Sequence, residues 1–187
     1  NWKHIPVGYH GRSSSIMPSG VDFHRPKGQM KPPTADVPVF GESKLLDFEL
    51  ETAFFTYEGK PLGDHITTAE ADEFIFGMAL LNDWSARDIQ GWEYVPLGPF
   101  LGKNFASHIS CWIVTLDALE PFRVAGPVQD PKVLPYLEYS GNKHIDINLE
   151  VFEKEQNPLK LFPFEQVGHY NVEGYKKVAE KIFELTK

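Results

Sequence analysis

The chain has 187 residues, a length at which one ordinary domain can bury a core. Hydrophobic residues make up 42% of it and charged residues 24%, which excludes wholesale disorder. A net charge of −8 and a pI near 5.3 argue against nucleic acid or an anionic membrane surface as a partner. The sequence contains no run of about 18 apolar residues, so no membrane-spanning helix is predicted.

The first part of the chain is predicted to be rich in turns and strands. The 15 glycines and 15 prolines separate short apolar runs, which favours a largely β architecture over a helical bundle. Residues 1–36 are predicted as loop and hairpin on a core, and a strand is predicted at 45–56, ending in a turn at 58–61. The Thr-Thr-Ala-Glu sequence at 67–70 has capping-box spacing and predicts a helix through about Phe76.

A buried strand is predicted to follow that helix. The apolar stretch at 74–81 indicates the end of the helix, a break at Gly77, and a strand at about 78–83 that carries Asp83 at its end. A second strand is predicted at 109–116. It contains the single cysteine, Cys111, which cannot form an internal disulfide, so a reducing cytoplasm is the expected compartment.

The last elements are predicted to be a hairpin and a helix. Residues 134–139 and 145–152 flank a Ser-Gly-Asn turn, and the second of these segments alternates apolar and polar residues. Apolar residues at three- to four-residue spacing then predict a terminal amphipathic helix through Val172, Tyr175, Val178, Ile182 and Leu185.

One predicted strand carries three carboxylates, Asp47, Glu49 and Glu51, at a spacing of two residues. In a strand they share one face, while Phe48 and Leu50 point to the core. Like charges on one face repel each other, so a hard divalent cation such as Ca²⁺ or Mg²⁺ would relieve the repulsion. The alternative is an exposed strand face solvated by water.

A second polar cluster lies further along the chain, directly after the strand predicted to end at Asp83. Donor side chains packed beside a metal suit an oxyanion. For Arg87 the alternative is a salt bridge to Asp88 or a nearby glutamate, and for Lys103 it is a solvated loop tip. The donors of this cluster are Arg87, Gln90, Tyr94 and Lys103.

Longer blocks of sequence closely resemble the fumarylacetoacetate hydrolase (fumarylacetoacetase) family over about residues 1–153: residues 1–12, 28–32, 45–51, 82–89 and 92–103. The resemblance implies metal-assisted hydrolysis of a carbon–carbon bond in a small-molecule β-diketo acid, with 4-fumarylacetoacetate giving fumarate and acetoacetate in tyrosine and phenylalanine catabolism. It implies a mainly β (α+β) fold, a mixed β-sandwich or roll that is truncated here. The intact enzyme is expected to be a homodimer.

The resemblance also implies metal ligands. Glu49, Glu51 and Asp83 resemble three of the family's Ca²⁺ ligands. Asp83, Lys103 and Ser107 would border a second, Mg²⁺-type site. The family usually has threonine where this chain has Ser107, and a serine keeps the oxygen. The preceding residue is an alanine where the family has glycine.

Other residues resemble the family's substrate-binding groups. Arg87, Gln90 and Lys103 correspond to residues that bind substrate and stabilise developing negative charge. Tyr9 and Tyr94 correspond to tyrosines that contact substrate.

By the same resemblance, the family's catalytic histidine lies upstream of this segment, together with a metal-ligand aspartate and a substrate-binding arginine. The glutamate that orients the histidine, and a further tyrosine, lie downstream. None of the seven histidines here carries the family's motif, so we expect an incomplete and inactive fragment. The alternatives are a non-catalytic metal-binding or partner-binding remnant, and a related oxo-acid decarboxylase or tautomerase.

The end of the chain departs from this pattern. Residues 154–187 are predicted to be a divergent tail on a partial catalytic domain at 1–153. Residues 162–187 weakly resemble the C-terminal histidine block of SGNH/GDSL-type esterases, but no Gly-Asp-Ser nucleophile block occurs in the chain. We interpret the tail as coming from an unrelated coding segment, the alternative being a short native C-terminus that packs on the sheet.

Overall fold

The computed structural model describes residues 3–6, 8–148, 157 and 172–185. Short strands outnumber helices in this part of the chain, which confirms the predicted α+β class with more strand than helix. The chain divides into two compact units, Asn1–His144 and Ile145–Lys187. The division into 1–153 and 154–187 stays a prediction.

The described residues form short regular elements, numbered here in chain order. The strands are β1 (Ile16–Pro18), β2 (Lys27–Met30), β3 (Val39–Glu42), β4 (Leu46–Asp47), β5 (Leu50–Thr56), β6 (Ile75–Asp83), β7 (Ser85–Ala86), β8 (Ser107–Ile109), β9 (Val114–Thr115), β10 (Arg123–Val124) and β11 (His144–Ile145). The helices are α1 (Arg87–Leu97), α2 (Leu101–Asn104), α3 (Leu116–Leu119) and α4 (Val172–Leu185). Turns of 3-10 helix occupy Ser13–Ser15, Ala71–Phe74, Glu120–Phe122 and Pro135–Leu137.

A five-stranded sheet organises the first unit, with the order β1-β8-β6-β5 and with β9 also paired to β6. Strand β6 is antiparallel to both β5 and β8, and β1 lies parallel to β8. In this register Asp83 at the end of β6 lies opposite Ser107, and Ser107 lies opposite Ile16. The pairing therefore brings Asp83 close to the N-terminal loop.

Strand β6 runs without interruption through Gly77, so the predicted break there is wrong. Gly77 lies opposite Thr115 of β9, and a Cβ on it would lie 2.5 Å from the carbonyl oxygen of Val114. The glycine thus permits a close approach of two backbones and does not end the strand. The prediction that Asp83 ends this strand is confirmed.

The single strand predicted at 45–56 is two strands, β4 and β5, separated at Phe48 and Glu49. Strand β4 pairs with β7, whereas β5 pairs with β6. Because the two pieces belong to different sheets, the alternation of faces does not continue across the break. Leu50, expected in the core, is 56% exposed.

The capping box at 67–70 is confirmed, but the helix after it is short. The Glu70 carboxylate accepts hydrogen bonds from the backbone N–H and the hydroxyl of Thr67, at 3.1 and 2.7 Å. Only the 3-10 turn Ala71–Phe74 follows before β6 begins. The helix does not continue beyond this turn, because the apolar residues from Ile75 onward are paired in the sheet as β6.

Residues 87–104, which carry the predicted donors, are largely helical and pack on the core. Ile89 of α1 is 1% exposed and clusters with Met30 and Ala86, with Leu46 and Phe105 packed against them. Within α1 the backbone is extended at the residue before Pro96, as is usual before proline.

Two further expectations fail in the described residues. Cys111 is exposed and lies outside any strand. The predicted hairpin is not formed in the described residues: residues 134–139 contain a 3-10 turn, and of the second segment only Ile145 lies in a strand, β11. Residues 149–152 lie outside the described residues.

The terminal helix is confirmed as α4, with Val178 buried. No helix of the described part is long and apolar enough to span a membrane.

Candidate metal centre

Three carboxylates converge at the end of the β5–β6 pair. Glu49, Glu51 and Asp83 each place one oxygen within 4.8 Å of the other two. Glu49 lies in the break before β5, Glu51 lies on β5, and the backbone N–H of Asp83 donates to the carbonyl of Glu49 at 3.1 Å. The strand pairing therefore assembles the cluster from two separate segments. Three carboxylates with oxygen donors only could hold a hard cation.

Asp47 does not join this cluster, although the sequence predicted that it would. Asp47 is 7% exposed, and its Oδ2 accepts a hydrogen bond from Nε of Arg87 at 2.9 Å. The break after β4 sends Asp47 and Glu51 to different sheets, so they no longer share one face. Asp47 instead helps to orient Arg87.

Arg87 links Asp47 to the acidic cluster. Its Nη2 donates to Oε1 of Glu49 at 2.6 Å, and its Nη1 donates to Oε1 of Gln90 at 2.8 Å. The ion pair considered as the alternative for Arg87 is present, with Asp47 and Glu49 as partners. Two carboxylates and one amide hold the guanidinium in a fixed orientation.

Lys103 is buried within the acidic cluster, so the solvated loop tip considered for it is wrong. Lys103 is 4% exposed, and its Nζ lies 2.9 Å from both Oε2 of Glu49 and Oδ2 of Asp83. Nζ also donates to the hydroxyl of Ser85 at 2.7 Å. The buried ammonium offsets part of the negative charge of the three carboxylates.

Helix α2 places Lys103, and Glu93 caps that helix. The Glu93 carboxylate accepts hydrogen bonds from the backbone N–H groups of Phe100, Leu101 and Gly102, at 2.9, 3.0 and 2.8 Å. A Cβ on Gly102 would lie 2.8 Å from the backbone nitrogen of Gln90, so α2 packs tightly on α1. Glu93 was not predicted from the sequence as a functional residue; the only signal for it was its position within residues 92–103, a block that resembles the family.

Two hydroxyls complete the surroundings of Asp83. Tyr9 donates to its Oδ2 and Ser107 donates to its Oδ1, each at 3.1 Å. A cleft of about 310 Å³ brings Tyr9, Asp83, Lys103 and Ser107 together with Glu51. Tyr94, by contrast, is 58% exposed on α1 and does not line this cleft. Its role as a substrate contact stays a prediction.

The charges in the cleft shift the pKa values of its acids in opposite directions. Burial, together with the charges of Asp83 and Glu49, raises the pKa of Glu51 to about 7. Burial would also raise the pKa of Glu49, but hydrogen bonds from Lys103 and Arg87 outweigh it and lower that pKa to about 2. Burial and the negative charge of Asp83 raise the pKa of the Tyr9 hydroxyl. Negative charge is therefore in excess around Glu51, where a cation would be stabilised.

A larger cleft, of about 1040 Å³, lies between the β2–β3 pair and α1. Phe40 and Trp92 contribute to its largely apolar lining, and Phe40 is 74% exposed. None of the three clustered carboxylates lines it. The acidic cleft therefore holds the groups suited to chemistry, although it is the smaller of the two.

Asp88 ties the segment before β4 to α1. Its carboxylate accepts from the hydroxyl of Ser43 at 2.6 Å, from N–H of Lys44 at 2.7 Å and from N–H of Ile89 at 3.0 Å. Burial alone would raise the pKa of Asp88, but these hydrogen bonds outweigh it and the pKa is lowered. A carboxylate with a lowered pKa contributes stability above its unfolded pKa, near 4, and this contribution is lost as the pH falls through the folded value.

We expect Asp88→Asn to make stability less dependent on pH below about pH 4, because the substituted side chain no longer titrates. Thermal melts of the native chain and the variant at a series of acidic pH values measure this. Asp64→Asn is the matched control, since Asp64 is exposed in a turn. Parallel pH curves for the native chain and Asp88→Asn would contradict the assignment.

Most of the chain matches one family of known proteins. The profile of the family described as "Fumarylacetoacetate (FAA) hydrolase C-terminal" matches residues 1–157. The chain is similar to fumarylacetoacetase of Bos taurus, with 60% identity over 151 residues, 81% of this chain and 36% of the relative. For the protein of that name in Homo sapiens the identity is 59% over 151 residues, with the same shares.

The similarity extends further in a plant relative. Fumarylacetoacetase of Oryza sativa subsp. japonica is 54% identical over 187 aligned positions, which cover 93% of this chain and 44% of the relative. That alignment reaches past residue 153. The chain spans less than half the length of the curated relatives it matches.

Proposed function

The chain belongs to the fumarylacetoacetate hydrolase family, and we propose that it is part of an enzyme that hydrolyses a carbon–carbon bond in a β-diketo acid. The proposed reaction converts 4-fumarylacetoacetate and water to fumarate and acetoacetate, in tyrosine and phenylalanine catabolism. The observation that carries this proposal is the cluster of Glu49, Glu51 and Asp83 with the buried Lys103 beside it. The names of the relatives support the choice of substrate.

We propose Ca²⁺ as the cation held by Glu49, Glu51 and Asp83. The donor set fits, because it consists of carboxylate oxygens and carries an excess of negative charge. When bound, such a cation supplies Lewis-acid polarisation of a carbonyl oxygen. A second, Mg²⁺-type site would be bordered by Asp83, Ser107 and Lys103, where Lys103 is only a neighbour because an ammonium has no lone pair to offer.

The donor residues are proposed to bind the substrate and to stabilise negative charge. Lys103 has its ammonium group at the wall of the cleft, fixed by Glu49 and Asp83. Arg87 is oriented by Asp47 and Glu49, and it orients Gln90 in turn. Donors that are oriented before the substrate arrives need no rearrangement when an oxyanion develops.

Two tyrosines are proposed to contact the substrate, whereas no histidine described at the cleft could activate water. Tyr9 donates to Asp83 and lines the cleft, so we propose that it contacts substrate, as we do for the exposed Tyr94. No histidine of the described residues lines the cleft. The ring of His108 is engaged by the indole N–H of Trp84 at 3.0 Å and the carbonyl of Val21 at 2.7 Å. We therefore propose that the general base comes from another part of a longer polypeptide. We also propose that this polypeptide acts as a homodimer, as the resemblance to the family implies.

The absence of a histidine from the described lining also favours a second candidate, a non-catalytic cation-binding fragment. The two candidates differ in turnover. We expect a full-length polypeptide carrying this segment to hydrolyse 4-fumarylacetoacetate with Ca²⁺ present, and residues 1–187 alone to be slower by about 10²- to 10⁴-fold, the usual contribution of a positioned base. The decrease in substrate absorbance measures both rates.

The assay includes two variants of the full-length polypeptide. Glu51→Gln should abolish most of the activity, whereas Glu58→Gln, an exposed glutamate in the loop after β5, should leave it unchanged. Failure of the full-length polypeptide to hydrolyse the substrate, despite intact Ca²⁺ binding, would contradict the proposed reaction. Robust turnover by residues 1–187 alone would show that this chain contains the base.

A further inference from the structure

The loop that carries Arg12 forms one wall of the acidic cleft and is anchored there by hydrogen bonds. Arg12 is followed by the 3-10 turn Ser13–Ser15, and N–H of Ser15 donates to the carbonyl of Arg12 at 3.2 Å. The hydroxyl of Ser15 lies 2.7 Å from the carbonyl oxygen of Asn104, the residue after Lys103. Strand β1 then pairs with β8, with Ile16 opposite Ser107. These contacts tie the position of Arg12 to that of Lys103 and Ser107.

The guanidinium of Arg12 has donors to spare at this wall. Its Nε donates to the hydroxyl of Ser14 at 2.9 Å, and no carboxylate of the described residues forms an ion pair with it. The residue is exposed and lines the same cleft as Glu51, Asp83 and Lys103. Arg87 differs in this respect, because Asp47 and Glu49 hold its guanidinium.

An anionic ligand in the cleft would need an additional positive group to bind. Glu49, Glu51 and Asp83 repel an anionic ligand, and Lys103 offsets only part of their charge because it is paired with two of them. A cation among the carboxylates would attract the diketone oxygens, whereas a carboxylate elsewhere on the ligand needs its own partner. The planar fork of an arginine matches a carboxylate in a bidentate manner.

We propose that Arg12 binds a carboxylate of the substrate and so selects dioxo acids over neutral diketones. This inference rests on the proposed function. It assigns to the guanidinium of Arg12 the discrimination between the charged substrate and uncharged analogues at that site. 4-Fumarylacetoacetate has a carboxylate at each end, so one of them can reach Arg12 while the diketone oxygens face the acidic cluster.

Calorimetry on residues 1–187 with saturating Ca²⁺ tests the proposal with two probes. One is 2,4-dioxopentanoate, which has the diketone and a carboxylate; the other is pentane-2,4-dione, which has the diketone alone. We expect Arg12→Gln to weaken binding of the dioxo acid by about 10- to 100-fold, the usual effect of losing a hydrogen-bonded charge partner. Binding of the dione should stay within about twofold, because the variant leaves the acidic cluster intact.

Two further variants sharpen the result. Arg12→Lys should bind the dioxo acid with intermediate affinity, since lysine keeps the charge and loses the fork. Lys27→Gln removes the same charge from an exposed pair with Glu42 and should bind both probes like the native chain. Thermal melts and Ca²⁺ titrations of each variant show that the fold and the acidic cluster are unchanged.

The outcomes separate this inference from the proposed function. Unchanged affinity of Arg12→Gln for the dioxo acid, or an equal loss for both probes, overturns the role of Arg12 and leaves the diketone assignment standing. Failure of the native chain to bind either probe overturns both. A selective loss for the dioxo acid supports both.

Discussion

Lys103→Met is expected to destabilise the fold by about 3–5 kcal/mol, the cost of removing one partner from a buried ion pair. Without the ammonium, the carboxylates of Glu49 and Asp83 face each other with their mutual repulsion no longer offset, and the hydroxyl of Ser85 loses its donor. The side chain of Lys103 is 1% exposed, so water cannot readily replace the lost contacts. Urea denaturation at neutral pH measures the free energy of unfolding.

Lys27→Met is the matched control for this experiment. Lys27 pairs with Glu42 at 3.3 Å, and both side chains are more than half exposed, at 59% and 61%. An exposed pair of this kind contributes about 0–1 kcal/mol, so the control should unfold almost like the native chain. If Lys103→Met loses no more stability than Lys27→Met, the ammonium does not hold the cluster together.

Joint replacement of Glu49 and Glu51 by glutamine is expected to weaken Ca²⁺ binding by at least about 100-fold. Loss of a residue that only supports a metal ligand costs about 10- to 100-fold in affinity, and direct ligands should cost more. The double variant removes two of the three clustered carboxylates and with them most of the negative charge that attracts the cation. Calorimetric titration with Ca²⁺ gives the affinity of each variant.

The matched control replaces two exposed glutamates outside the cluster, Glu58→Gln with Glu73→Gln, and changes the net charge by the same amount. Its Ca²⁺ affinity should equal that of the native chain. Tight binding that survives Glu49→Gln with Glu51→Gln would place the cation site elsewhere. Thermal melts should accompany the titrations, because Glu49 also pairs with Arg87 and Lys103.

Short-range features were predictable from the sequence. The capping box between Thr67 and Glu70 and the terminal helix α4 depend on residues three or four positions apart, so local pattern determines them. The placement of Asp83 at the end of a strand followed from the apolar run before it, although only Gly77 and Ala79 of that strand are buried. The acidic pattern around Glu49 and Glu51 indicated a cation site, and both residues do converge with Asp83.

The partners of the charged residues were decided by the tertiary structure. The sequence placed Asp47 with Glu49 and Glu51, but β4 pairs with β7 and β5 pairs with β6, so the chain turns between them and Asp47 meets Arg87. Strand pairing is a long-range interaction that the alternation of side chains within one segment cannot reveal.

Burial of the cations was likewise beyond the sequence. Lys103 is buried between carboxylates, whereas Arg12 remains exposed at the rim of the cleft. The difference arises because Glu93 caps α2 and α2 packs on α1, which carries Lys103 inward. The sequence by itself thus determined which residues are charged and which local elements form. Only the packing of strands and helices from distant segments decided which charges meet, because an ion pair depends on distance in space and on exclusion of water.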